Sequence, residues 1–206
     1  MAKLFVATRK LNEKNASKRA ADTEIILNEV HDRDPGSDSH LLGIARMNYL
    51  HARYRKAGKI LDEDMLHTLG SAVVDIIQGV DRNGWRHLTD VERCAIGVFH
   101  WALGDAMEIP FTFLPSHKTG WRDGLHFAEE LYEWTLAYEK VAAQPTDSTR
   151  YIGRRLMELA ECNIPRITEA TRREYCPHKT GGAQPDKHGV SWPSLNLLVL
   201  CLTLET

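Results

Sequence analysis

Residues 37–58 read SDSHLLGIARMNYLHARYRKAG, and this stretch decides the fold class. Ser37 or Asp38 can cap a helix start, and Gly58 sits where a chain leaves a helix through a left-handed residue. Between them Ile44, Met47 and Tyr54 fall at −7, −4 and +3 from His51, which is one helical face. The same period extends in both directions. Upstream it predicts a helix over about 16–30, broken by Asp32-Arg33-Asp34-Pro35-Gly36. Downstream a helix begins after Asp62 and runs to about Val80, ahead of the turn Asp81-Arg82-Asn83-Gly84. Thr89 with Glu92 three residues later is a capping-box spacing, and the helix it opens continues to about Met107, before Pro110. A loop with Pro115 and Gly120 leads to a helix over about 122–143 that Pro145 ends. Asp147 or Ser148 caps a sixth helix, and Pro165 opens a short one to about Tyr175. No stretch alternates with period two long enough to be a strand. The expected fold is all-α, a multi-helix bundle.

The chain has 206 residues, enough for one domain with a real core and no disulfides. The division expected is a helical domain over 1–175, then a linker and short apolar tail over 176–206. The linker carries Gly181, Gly182, Pro185, Gly189 and Pro193. The apolar run 195–204 is about half of the roughly 20 residues a bilayer span needs. The first eleven residues mix basic and apolar side chains without a long apolar run, so neither a leader nor an anchor is expected there. Cys94, Cys162, Cys176 and Cys201 form no CxxC pair, which fits reduced thiols in an intracellular, cytoplasmic protein. A net charge of −2 with no basic stripe argues against a nucleic-acid partner.

Ten histidines invite a metal hypothesis, and their spacing tests it. Two ligands on one helical face lie about four residues apart, and no pair here is three, four or five apart. A site assembled from separate helices stays open. His51, on its apolar face, can be a haem axial ligand or a core histidine satisfied by a hydrogen bond. His100, with Ile96, Leu103 and Met107, is its rival; His67 has less apolar company. Arg19 and Thr23 share a face of the first helix with Ile26 and Val30. An inward arginine either packs its stem with its head reaching water, or points at an anionic group. Asp62, Glu63 and Asp64 suit a helix start, and Glu129, Glu130 and Glu133 read as a solvated face. Cys176-Pro177 is too short a motif to argue from.

Several segments together resemble a known family. Lys18-Arg19-Ala20-Ala21-Asp22-Thr23 is similar to its Arg-x-x-x-Thr helix, and Arg46-Met47-Asn48-Tyr49-Leu50-His51 to its R-x-N-x-x-H helix. Ile60 to Leu69, and Trp85-Arg86 with Leu88-Thr89 and Glu92, resemble the segments that follow. The family is the fungal branch of the MpaB-type oxygenases, which share a catalytic domain with the bacterial rubber oxygenase (latex-clearing protein). The resemblance runs from about Leu4 to Tyr175 and is looser after Pro110.

That resemblance implies a bundle around one haem b, with His51 as the iron ligand. Arg19 and Thr23 would lie near its distal side and Thr68 close to the pocket. The implied chemistry is O2-dependent cleavage or oxidation of a carbon–carbon double bond in a small apolar, prenyl-type substrate. Where the bacterial enzyme has a lysine one residue before the threonine, this chain has Asp22, so a lysine ligand is excluded there. Family members carry more helix at both ends, so the domain is expected to be incomplete. The competing expectation is a non-catalytic helical remnant that has lost cofactor or pocket. No stable membrane span is expected; peripheral endomembrane association is compatible with the family.

Overall fold

The computed structural model describes residues 15–142 and 144–163. Among these residues six α-helices follow one another: α1 Ala16–His31, α2 Asp38–Lys56, α3 Asp62–Asn83, α4 Asp90–Ala106, α5 Gly124–Ala142 and α6 Asp147–Asn163. A 3₁₀ turn, Pro115–His117, lies between α4 and α5. No strand occurs among the described residues, so the all-α expectation holds. The short helix expected after Pro165, the linker and the tail lie outside them.

Helix ends follow local chemistry. Ser37 accepts a hydrogen bond from the backbone N–H of His40 at 3.3 Å and starts α2. Gly58, at φ +62°, ends it as the sequence suggested, with Gly58 N donating to Arg55 O and Lys59 N to Tyr54 O. At the start of α4, Thr89 Oγ1 accepts from Glu92 N, and the Glu92 carboxylate accepts from Thr89 N at 2.8 Å. Arg86 adds a bidentate pair to that carboxylate at 2.7 and 2.8 Å, which holds its pKa well below the usual range. The α3 helix outruns its expected end by one turn, because Arg82 and Asn83 hydrogen-bond back to Gln78 O and Gly79 O. Past α4 the chain turns through Glu108 at φ +56°. There Glu108 N donates to Asp105 O and Ile109 N to Gly104 O, a Schellman turn without glycine.

Packing divides the bundle into two units. In one, α1 lies on α2, where the His40 ring bonds Val30 O at 3.0 Å. In the other, α5 packs along both α4 and α3. Bare backbones make that close approach possible. A Cβ on Gly97 would stand 1.8 Å from Gly124 O, and one on Gly70 would stand 1.9 Å from Thr135 Oγ1. Behind α4, the rings of Trp101, Phe111, Trp121 and Phe127 meet mostly edge to face at 5.0–5.8 Å between centroids. Helix-to-helix contact between the two units is sparser than within them, and side-chain hydrogen bonds join them. Asn48 Nδ2 donates to Ala106 O at 2.9 Å and Arg55 to Glu108 O at 3.0 Å, tying α2 to the end of α4.

Glu130 corrects the solvated-face reading of α5. Glu129 and Glu133 are exposed, but the Glu130 side chain is mostly buried. Burial alone would raise its pKa, yet hydrogen bonds from Ser116 Oγ, Trp121 Nε1 and Ser116 N outweigh that and lower it. It pins the 3₁₀ turn to α5.

Candidate functional site

Where the two units face each other a cavity opens, lined by residues from both. From α1 and α2 come Leu27, His31, Met47 and His51; α3 gives Met65, Thr68, Leu69 and Ala72. His100 and Leu103 of α4 and Met107 and Ile109 from its end close the ring. Its enclosed free volume is about 50 Å³, and it reaches about 520 Å³ only when the space between its atoms and the open mouth is counted.

The apolar stripes identified in the sequence build this wall. Ile44, Met47, His51 and Tyr54 are all buried along α2. His100 and Leu103 are buried on α4. The two histidines that competed in the sequence therefore open onto one space.

Their electrostatics are alike and their hydrogen bonding is not. Burial pushes the His51 imidazole down to about 4, with the Arg55 charge adding to the effect. Burial likewise brings His100 to about 4, against the hydrogen bond to Ile96 O and with the help of His31. Both are thus neutral near pH 7. Nδ1 of His100 lies 2.8 Å from Ile96 O. A carbonyl only accepts, so the proton belongs on Nδ1 and Nε2 keeps a bare lone pair. That Nε2 is buried and has no partner among the described residues. Nδ1 of His51 is also buried without one. An unsatisfied buried polar atom costs about 1–3 kcal/mol, so two in one small space need a reason.

Of the other residues singled out, Thr68 lines the cavity, its hydroxyl donating to Asp64 O at 2.7 Å. Arg19 and Thr23 do not. They are buried on the inward side of α1, at 4% and 1% exposure, where Thr23 Oγ1 donates to Arg19 O at 3.0 Å. Each helical turn rises roughly 5 Å, so they sit one to two turns before the cavity-lining Leu27. Asp22 is paired with Lys18 on the outer side. His67 bonds Glu139 at 3.1 Å and lies apart from the cavity.

Two participants escaped the sequence reading. His31 lines the cavity with Nδ1 on Leu27 O at 3.0 Å. Arg55, one turn beyond His51, is the charge nearest that ring's chemistry and also contacts Asp62 Oδ1 at 3.3 Å. The i+4 spacing from His51 was the available signal for Arg55; His31 gave none beyond its place at a helix end.

The residues around this cavity, apolar side chains with imidazoles among them, are the kinds that face a flat apolar group with a nitrogen ligand. Two neutral, buried rings with unpartnered nitrogens, in a wall of Leu, Met, Ile and Ala, fit a haem. No group of three or more His, Cys, Asp or Glu among the described residues could hold a bare metal ion.

An all-α bundle with a histidine-bearing apolar cavity is the class of protein that fold and site define. Comparison with known proteins narrows it. The chain is 37% identical over 165 residues to "ER-bound oxygenase mpaB" of Penicillium roqueforti (strain FM164), covering 80% of this chain and 55% of the relative. It is 37% identical over 150 residues to "ER-bound oxygenase mpaB'" of Penicillium brevicompactum, covering 73% and 36%. To "ER-bound oxygenase mpaB" of the same species it is 39% identical over 133 residues, covering 65% and 34%. The chain belongs to the MpaB-type family. It spans between about a third and about half the length of these curated relatives. No family model matches it, and neither does any solved structure.

Proposed function

We propose that this chain is the cofactor-bearing part of a haem-dependent oxygenase. It would use O2 to cleave or oxidise a carbon–carbon double bond in an apolar, prenyl-type metabolite. The observation that carries the reading is the pair of buried, neutral imidazoles with unpartnered nitrogens on one apolar cavity. The relatives' names, oxygenases bound to the endoplasmic reticulum, support the reaction class and suggest an endomembrane association. No helix among the described residues is long and apolar enough to cross a membrane.

When bound, the haem supplies the oxygen chemistry. His51 would hold it, in the segment that resembles the family's R-x-N-x-x-H helix. Met47, Met65, Leu69 and Leu103 keep water out and give an apolar chain a surface to lie on. Arg55, one turn beyond His51, ties that end of α2 to Asp62 and to Glu108 O and so steadies the His51 ring's surroundings. Arg19 stays charged when buried and would hold an anionic group or orient substrate from about two turns before Leu27 on α1. Thr23 fixes the local shape of α1 beside it, and Thr68 offers the cavity a hydroxyl oxygen that can still accept.

Activity tests the reading. Haem-loaded protein is supplied with O2, a reductant and a prenylated probe, and aldehyde or ketone product is followed by mass spectrometry. Product should form. A charge-assisted hydrogen bond is worth about 1.5–3 kcal/mol, so Arg19→Ala should slow turnover about tenfold to a hundredfold while the haem spectrum is kept. Thr23→Val should lie at the lower end of that range. Haem-loaded wild type that makes no product from any prenylated probe would leave a binding remnant as the better reading.

A further inference from the structure

Three imidazoles line one cavity from different helices, His31, His51 and His100, and of these only His51 and His100 bury a nitrogen with no partner among the described residues. His100 is 2% exposed. Its Nδ1 is engaged by Ile96 O at 2.8 Å, and its Nε2 is buried with no partner among the described residues. The Phe99 ring stands edge-on to it at 5.2 Å. A backbone carbonyl behind Nδ1 is the arrangement that fixes the tautomer and raises the basicity of a metal-binding imidazole. His31 and His40 also set Nδ1 against a backbone carbonyl, but His100 alone of these leaves a buried Nε2 without a partner among the described residues, a cost that leucine in the same space would avoid. His51 shows the complementary pattern, with Nδ1 unpartnered.

We propose that His100 is a second nitrogen ligand to the same iron group that His51 holds, so that the resting site is closed by two imidazoles. O2 then gains access only after His100 lets go. This rests on the haem reading above. It gives the site a gate that belongs to α4 rather than to a loop.

The test reconstitutes the full chain with hemin and reads absorption and electron paramagnetic resonance of the ferric form. Wild type should be six-coordinate and low-spin. His100→Ala should retain haem, become high-spin, and return to low-spin when imidazole is added. Carbon monoxide should bind the reduced variant at least about tenfold faster than reduced wild type, because no internal ligand has to leave. Should the alanine variant lose helix by circular dichroism, His100→Met decides instead: its spectrum must depart from that of wild type. A wild type that is already high-spin, or a spectrum and carbon monoxide rate that these variants leave unchanged, overturns the role of His100 and leaves the haem reading standing. A wild type with no Soret band overturns both.

Discussion

His51 and His100 are costly residues to bury, and their cost has a sign that can be measured without any cofactor. Each is held near 4 when folded and has an ordinary value of 6.5. Above 6.5 both states of the chain are neutral. Between 6.5 and 4 the unfolded chain takes up protons that the folded chain resists, so stability rises with pH across that window. Each ring therefore accounts for about 3 kcal/mol of stability that is lost on acidification to pH 4. Asp75 acts in the opposite sense, because burial and then Glu139 raise its carboxyl to about 7. It is only part-buried, so its effect is the smaller. Urea unfolding of cofactor-free protein should show the midpoint falling from pH 7 to pH 4.5, and His100→Leu should flatten that profile by close to one proton. An unchanged slope in the variant would show that His100 is not buried neutral. The sequence exposed both histidines through their apolar neighbours. That they share a cavity was not legible, because it depends on how α2 and α4 are brought together across α3.

At the scale of elements, local chemistry was readable and close approach was not. The caps at Thr89 and Gly58 follow from side chains within four residues, so the sequence shows them directly. Glu130 reads as a surface residue on its own helix; its partners Ser116 and Trp121 reach it only because the 3₁₀ turn folds back. The glycines of the α4–α5 crossing are equally silent in one dimension. Gly97 is needed because Gly124 O occupies the space of its missing Cβ. Gly97→Ala should destabilise the protein by about 1–3 kcal/mol or more, as overpacking does. Gly79, on α3 with nothing within 4 Å of a built Cβ, is the control. Gly79→Ala should stabilise by roughly 0.5–1 kcal/mol through helix propensity. Equal effects of the two substitutions in urea would contradict the packing described for α4 and α5.

For the whole molecule, the decisive feature is the seam between the α1–α2 pair and the α3–α5 unit. Hydrogen bonds from Asn48 and Arg55 close one end of it, and the cavity occupies it. The haem assignment stands or falls on that seam. Ala72 lines it, is 7% exposed, and has a side chain small enough that a large replacement must enter the cavity. The most direct measurement is therefore a titration of the purified chain with hemin, followed at the Soret band, for wild type, His51→Ala and Ala72→Phe. Wild type is expected to saturate at one haem per chain. Both variants should lose stoichiometric binding while keeping their helical circular dichroism. Saturable binding that neither substitution weakens, or no saturable binding by wild type, would contradict a haem held in this cavity by His51.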